Sequence, residues 1–453
     1  MSDLISVDPK NLARWNQAVP RYTSYPTAPQ FQPIDPEIYR DKLASFDATS
    51  KPLSVYIHIP FCKTMCLFCA CSVILNRKPE KQQAYLDLLL QEIALLPFAA
   101  KRRVTQLHLG GGTPTSLTEE QLAALMGALS SRFTLEGEIS IEIDPRTVYA
   151  DGGSKLTSLR KLGFNRVSFG VQDLDPLVQE AVKRRQSEEM TVATLHMARS
   201  LGFEGINLDL IYGLPHQTPE RFAKTAEKIL EMRPDRISFF SYAKVPWLKP
   251  HQNAIAEETL PSTEEKFAIY AETRERFMKG GYVAIGMDHF ALATDPLVTA
   301  YREKKLTRNF QGYSIDLAED MIGLGVTSIG FLENAFFQNC KTLEEYKTAI
   351  DQGHLPVQRG VVLNEEDRLR RWVIAALMCH FELDKREFAR RWATLFDRHF
   401  AREREAIERL KKEGLLEETE EKLFPTPLGR LFVRLIAAVF DAYLKQGTYS
   451  RAI

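Results

Sequence analysis

Between Leu53 and about residue 290, short apolar runs alternate with helical patterns, and this alternation limits the folds open to the chain. Strand-like runs stand at Leu53–Ile59, Val104–Leu109, Glu138–Ile143, Arg166–Gly170, Ile206–Ile211 and Arg236–Phe240. Helical patterns separate them at Lys81–Leu96, Thr118–Ser131, Ser154–Leu162, Pro176–Val182, Glu188–Leu201 and Pro219–Glu231. Thr118 can cap its helix, and Gln121 completes a capping box. Gly163 and Gly202 stand where left-handed C-caps are expected. Such β-α-β units connect right-handedly and build a parallel sheet. Six units with short strands predict an α/β fold, a partial (β/α)6-type barrel, with ligands at the carboxyl ends of the strands.

On either side the pattern breaks. Residues 1–50 read as an irregular arm carrying P-R-Y-T-S-Y-P-T-A, Pro20 to Ala28. Residues 51–290 are the barrel core, and 291–340 an extension of loops and short segments closing the active site. Residues 341–453 read as a mainly α-helical C-terminal domain. Leu363–Met378 and Asp384–Glu413 are expected to be amphipathic helices, and 413–433 a winged-helix-like helix, hairpin and helix. The acidic stretch Glu417–Glu421 argues for packing or a lid, not for DNA binding. With 59 basic and 59 acidic residues the formal charge is zero, so no basic field favours nucleic acid. No apolar run approaches a membrane span, and the N-terminus lacks the pattern of a secretory signal. A cytoplasmic protein is expected.

The first strand runs into a cysteine cluster, C-K-T-M-C-L-F-C-A-C. Cys62, Cys66 and Cys69 follow a C-x3-C-x2-C spacing, with Cys71 behind. The remaining cysteines, Cys340 and Cys379, are isolated, so no disulfide framework is indicated. A zinc site would show a second pair. Three close thiolates suit a cubane iron–sulfur cluster with one iron left open for a ligand. Cys71 could instead close the cluster as a fourth ligand, leaving a plain electron carrier. After the second strand comes L-H-L-G-G-G-T-P-T, Leu107 to Thr115. Its glycines let a ligand approach the backbone, and no Gly-Lys-Ser/Thr makes it a P-loop. Polar residues recur at the same end of later strands: Glu142 and Asp144, Gln172 and Asp173, Asp209, Ser241 and Tyr242. Singly each could be a cap or a buried hydrogen bond; together they point at one site.

The cysteine spacing, with Phe68 before the third cysteine, resembles the radical S-adenosylmethionine (SAM) superfamily. Y-I-H-I-P-F-C, C-A-C, G-G-G-T-P-T, I-E-I-D-P-R, V-S-F-G-V-Q-D, N-L-D-L-I-Y-G-L-P, G-M-D-H-F-A, R-N-F-Q-G-Y, P-R-Y-T-S-Y-P-T and S-R-A-I resemble the oxygen-independent coproporphyrinogen III oxidase (dehydrogenase) family of bacterial haem synthesis. The likeness runs over essentially the whole chain. It includes Cys71, which the related haem-chaperone branch typically lacks. At K-P-H-Q-N the chain departs: Asn253 stands where a basic residue is expected.

The resemblance implies one [4Fe–4S] cluster on Cys62, Cys66 and Cys69, and two SAM molecules. Tyr56, Gly112, Glu142, Ala243 and Ile329 match neighbours of the first SAM. Phe68, Thr113, Pro114, Gln172, Arg184 and Asp209 match contacts of the second, with Arg184 or Arg185 pairing a carboxylate. Tyr56, Cys71, Gln311 and Ile329 are the candidates nearest the chemistry, with Asp288 and His289 weaker ones. The implied reaction converts two propionates of coproporphyrinogen III to vinyl groups, giving protoporphyrinogen IX. The arm tyrosines Tyr22 and Tyr25 and the C-terminal helices are expected to cover the site. Expected partners are the porphyrinogen and a reduced electron-donor protein, and a monomer is expected. The rival functions are a haem chaperone and a radical SAM methyltransferase on the same fold.

Overall fold

The computed structural model describes residues 7–315, 318–446 and 448–452. Ile453, which ends the S-R-A-I motif, lies outside them. The alternation builds one large sheet. Its parallel strands are β1 (Leu53–Ile59), β2 (Arg102–Gly111), β3 (Phe133–Ile143), β4 (Arg166–Gln172), β5 (Gly205–Tyr212) and β6 (Arg236–Ser241), adjacent in that order. Each pairs in parallel with the next. Both ends of the sheet then turn antiparallel. Beyond β6 lie β8 (His289–Leu292) and β7 (Tyr282–Ala284).

Beyond β1 comes β9 (Met321–Leu324), a seventh parallel strand supplied by the extension. It is followed by β10 (Ile329–Leu332), β11 (Ala335–Asn339), β12 (Val357–Val362) and the short strand Gln32–Pro33. The thirteen-stranded sheet keeps two edges, so it curls as a partial barrel. Segment 291–340, expected as loops and short segments, supplies the short strands β9 to β11 along with a short helix, Pro296–Arg302, and the hairpin Thr307–Asn309/Gly312–Ser314.

Helices α1 (Pro79–Leu95), α2 (Glu119–Arg132), α3 (Ser154–Lys161), α4 (Glu188–Ser200) and α5 (Pro219–Met232), with the short helix Pro176–Ala181, fall where the periodicity put them. Thr118 and Gln121 close the capping box. Gly163 and Gly202 have φ of 96° and 77°, the left-handed C-cap that glycine adopts without a Cβ penalty. The barrel core is continuous, from Leu53, Val55 and Ile57 on β1 to Ile237 and Phe239 on β6, roofed by α1 to α5.

A second core joins the arm to the C-terminal region through Leu12, Trp15, Tyr22, Tyr25, Val373, Leu377, Phe432 and Ile436. The arm is less irregular than its composition suggests. Asp8 and Asp35 cap helices Pro9–Trp15 and Pro36–Asp47, each with proline at its first position. The helix expected over Asp384–Glu413 is broken into Lys385–Trp392, Phe396–His399 and Arg404–Lys412. Ala393, at φ 51°, ends the first piece in the left-handed region. The buried Phe388, Phe396 and Phe400 pack on one another across the breaks, so tertiary contacts override the helical period. Strands Leu416–Glu418 and Lys422–Pro425 form the expected hairpin, with Leu383–Asp384 as its third strand. No described helix is long and apolar enough to cross a membrane.

Candidate active site

The cysteine loop leaves the carboxyl end of β1 and is closed on itself. Residues Phe61–Cys62 pair in parallel with Ile74–Leu75, Cys62 facing Leu75 in register. Ile74 N–H donates to Pro60 O at 2.7 Å and Asn76 N–H to Cys62 O at 2.9 Å. Leu67 N–H donates to Val182 O at 3.0 Å, pinning the loop to the turn after Pro176–Ala181. Within this frame the three thiols are electrostatic neighbours. Burial pushes Cys62 up to about 11, against a hydrogen bond from Thr113, and the charges of Cys69 and Cys66 push the same way. Cys66 Sγ accepts from Arg184 Nη1 at 3.5 Å. Cys71 is the exposed member, but its thiol turns back onto Cys69. That hydrogen bond draws Cys69 down and holds Cys71 well up.

This donor set fits an iron–sulfur cluster better than a single ion. Its three thiols stand on one loop, without the second Cys or His pair that a zinc site would bring. A cubane takes each thiolate on its own iron, so its ligands stay apart. The buried Nε of Arg184, beside Cys66, has no partner and is available to a bound group.

The glycine loop packs against the cysteine loop from β2. Gly112 N–H donates to Ile59 O and Thr113 N–H to Phe61 O, both at 2.8 Å. A Cβ on Gly112 would lie 2.6 Å from Pro60 O and 2.9 Å from Phe61 O, so only glycine lets the loops approach this closely. Thr113 Oγ1 is 3.3 Å from Cys62 Sγ, and Pro114 begins a buried turn behind it.

A polar row crosses the inner face in register. Tyr56 on β1 opposes His108 on β2, which opposes Ser140 on β3. The Tyr56 and His108 rings stack at 6.1 Å. His108 Nε2 lies 3.3 Å from Glu142, whose other oxygen accepts Gly111 N–H at 3.0 Å. Burial alone would raise Glu142; the His108 hydrogen bond and charge outweigh it and hold the carboxylate down. His58 Nε2 faces Ser72 O at 2.9 Å, so that nitrogen carries the proton and Nδ1 accepts from Tyr56 O–H at 2.9 Å. Burial lowers His58, in keeping with a neutral ring, and raises Tyr56 well above its usual range.

Further round the sheet, Arg184 is 8 % exposed and bridges Cys66 to Asp144 at 3.4 Å. Burial would raise Asp144, but Arg184 and Arg146 bring it to about 2. Arg185 points outward and pairs with Glu180, so Arg184 is the arginine that faces the site. Gln172 takes a φ of 71°, uncommon for a side chain of this kind and typical of functional turns. Asp209 accepts from Ser168 and Asn207 at 2.8 Å each; burial and then the Glu142 charge push it up.

Other candidates sit at the margins. Phe68 packs beside Leu67, Val178 and Tyr242. Ile329 begins β10, opposite Gln338. Gln311 tips the hairpin Thr307–Asn309/Gly312–Ser314; its Nε2 reaches Met321 Sδ at 3.3 Å and its buried Oε1 has no partner. His289 Nδ1 lies 2.9 Å from the buried Asp288 carboxylate, which Arg21 and Arg308 also approach at 3.6 and 3.9 Å.

One group was missed by sequence reasoning. Lys249 Nζ donates to Cys71 O at 2.6 Å, His251 Nε2 faces Cys69 O at 2.8 Å, and the fully buried Gln252 donates to Phe68 O and Ala243 O at 3.0 and 3.1 Å. The K-P-H-Q-N segment therefore clamps the cysteine loop through its carbonyls, while Asn253 faces solvent. Three side-chain donors in four residues were the available signal.

A Radical SAM superfamily model matches residues 56–229, and a HemN C-terminal domain model matches 363–432. The chain is 43% identical over 455 residues to a Synechocystis protein named oxygen-independent coproporphyrinogen III oxidase, covering 98% of this chain and 97% of that one. It is 42% identical over 439 residues to the protein of the same name from Escherichia coli strain K12, at 96% and 95% coverage. The solved structure of the Escherichia coli coproporphyrinogen III oxidase, described as a radical SAM enzyme, superposes with a TM-score of 0.91 over 98% of this chain and 100% of that one.

Proposed function

The chain belongs to the oxygen-independent coproporphyrinogen III oxidases, and from that membership and the site geometry we infer its reaction. It is a radical SAM oxidoreductase that decarboxylates two propionates of coproporphyrinogen III to vinyl groups, giving protoporphyrinogen IX in haem synthesis. Each propionate gives up one hydrogen atom, one electron and carbon dioxide. When bound, the reduced cluster and SAM supply the 5′-deoxyadenosyl radical that removes the hydrogen. The observation that carries the reading is the closed loop of Cys62, Cys66 and Cys69 on the glycine turn, within a chain alike over nearly its full length.

The residues divide the remaining work. Cys62, Cys66 and Cys69 hold the cluster, and Cys71 is its neighbour, its proton retained by the contact with Cys69. Glu142, kept ionised by His108 and Gly111, would take the ammonium of a first SAM, with Tyr56, Gly112, Ala243 and Ile329 as the other residues that would hold it. Arg184 offers its free Nε to a carboxylate of the second SAM, with Phe68, Thr113, Pro114, Gln172 and Asp209 completing that side. Gln311, with an unpartnered Oε1, faces the substrate end. Tyr22 and Tyr25 hold the arm down on the C-terminal region, donating to Asp441 at 3.0 Å and accepting from Ala442 N–H at 3.1 Å. That cover excludes water and stray C–H groups from a carbon radical. A monomer working in the cytoplasm, fed by a reduced donor protein, completes the reading.

The test is anaerobic reconstitution with iron and sulfide, then SAM, reductant and coproporphyrinogen III, with porphyrins followed by chromatography. Vinyl products are expected. SAM cleavage without them removes the decarboxylase reading and keeps the superfamily. S-adenosylhomocysteine in place of decarboxylated porphyrin would favour a methyltransferase, and haem transfer without SAM cleavage a chaperone. Serine at Cys62, Cys66 or Cys69 abolishes the cluster; loss at Cys71→Ser as well would make it a fourth ligand.

A further inference from the structure

The outer face of the cysteine loop carries a group of charges that the reaction chemistry leaves unused. Lys63, Met65, Leu75, Arg77 and Lys183 line a surface concavity together with Thr64 and Asn76. Lys63, Arg77 and Lys183 are exposed, and none is paired with a carboxylate among the described residues. The field extends to Lys155, whose ammonium feels the charge of Lys63. At the centre Leu75 is 54% exposed, a large apolar side chain beside half-buried Met65.

The backbone makes this face rigid. Leu75 is the register partner of Cys62, and Arg77 Nε donates to Lys63 O at 3.1 Å. The far wall is fixed by Leu67 N–H on Val182 O, next to Lys183. The face is therefore built on the same backbone that carries Cys62 and Cys66. An apolar centre inside a ring of unpaired positive charge is the complement of an acidic protein surface.

We propose that this concavity is the docking face for a small acidic one-electron carrier protein, which delivers its electron across the Cys62–Cys66 side of the loop. The inference rests on the preceding reading only in requiring a reducible cluster on this loop. Net charge zero for the whole chain makes the steering local: attraction is set by this patch and is screened by salt.

The experiment uses the reconstituted holoenzyme without SAM. Anaerobic stopped-flow follows bleaching of the cluster's visible absorbance by a flavodoxin in its hydroquinone form. A parallel arm uses photoreduced deazaflavin, a small reductant with no docking surface. The triple variant Lys63→Glu, Arg77→Glu, Lys183→Glu is expected to slow the flavodoxin reaction by about 10- to 100-fold at low salt and to flatten its salt dependence. The deazaflavin rate stays unchanged. The neutral triple variant to glutamine falls between, and arginine at Lys63 and Lys183 restores the wild-type ratio. An equal change in both arms, or no change in either, overturns the proposal. A wild-type chain that takes up no iron and sulfide would instead overturn the cluster reading beneath it.

Discussion

Glu92→Gln should loosen the turn that leads into Ile329. Glu92 lies on α1 and is buried, and among the described residues it has no ion-pair partner. Its Oε2 accepts Gly325 N–H at 2.7 Å and Tyr346 O–H at 2.6 Å, and its Oε1 accepts Asn339 Nδ2 at 2.7 Å. Asn339 also donates to Gly325 O at 3.0 Å, so one carboxylate fastens both ends of the β9–β11 connection. Glutamine keeps one acceptor oxygen and sets an NH2 where the other stood. In either orientation that NH2 meets a donor, Gly325 N–H or Asn339 Nδ2. One buried donor left without an acceptor costs about 1–3 kcal/mol. At about 1.4 kcal/mol per tenfold, opening of the link between Gly325 and Asn339 should become roughly 5- to 150-fold more favourable, and amide exchange across 322–329 should accelerate with it.

The readout is hydrogen–deuterium exchange in the peptide spanning 322–329, with the helix peptides as reference. The pH dependence gives a second arm. Burial raises Glu92 from 4.5 to about 7, against the hydrogen bonds of Tyr346, Gly325 and Asn339. A carboxyl raised on folding contributes its full stability below its unfolded pKa and loses it as pH rises through about 7. The raised value, 7 against 4.5, corresponds to about 3 kcal/mol lost between those limits. The glutamine variant should lack that decline. Unchanged exchange across 322–329, or the same loss of melting temperature from pH 5 to 8 in both proteins, would refute the reasoning.

Gly112→Ala places a Cβ 2.6 Å from Pro60 O and should force the cysteine and glycine loops apart, at about 1–3 kcal/mol. Iron bound per chain after reconstitution should fall while far-ultraviolet circular dichroism stays as in the parent. Asp295→Asn breaks a buried ring in which Arg166 and Arg236 each contact both Glu138 and Asp295, at 3.0–3.4 Å. Two guanidinium groups would lose a carboxylate, costing about 3–5 kcal/mol, and an unaltered melting temperature would show that the ring is not what ties β3, β4 and β6 together. His251→Ala removes the donor facing Cys69 O. It should shift the cluster's reduction potential and hasten bleaching in air, read by redox titration and electron paramagnetic resonance. Identical potentials would mean that the clamp holds the loop without tuning it.

Much of this was legible because the relevant signals are local. Short apolar runs set between helical patterns located β1 to β6, and C-x3-C-x2-C located the loop. The seventh parallel strand, Met321–Leu324, was not legible. It is four residues long and far in sequence from its partner, Ser54–Ile57, so nothing local marks the pairing. Asp35-Pro36 did mark a helix start, but the arm's prolines and tyrosines obscured it. The break at Ala393 was hidden for the opposite reason: aromatic packing, not propensity, ends that helix. His58 and His108 share the inner face with Tyr56 and Glu142 and were visible only as alternate positions on neighbouring strands.

The clamp shows why the cysteines alone could not define the site. A ten-residue loop with four thiols has backbone freedom that spacing does not remove. Here the freedom is removed from four directions: by the Ile74–Leu75 strand, by Val182 O, by the Gly112–Thr113 turn, and by Lys249, His251 and Gln252. Those partners come from the segments following β1, Pro176–Ala181, β2 and β6, so the loop's shape is set by contacts from across the sheet. A motif that could bind iron while unfolded is in this way held open, with three thiols as neighbours and the fourth engaged on Cys69. Pre-organisation of that kind depends on the supporting contacts as much as on the ligands. It predicts an ordering of effects: loss of a ligand removes the cluster, whereas loss of a clamp residue leaves iron bound but alters its potential and lifetime.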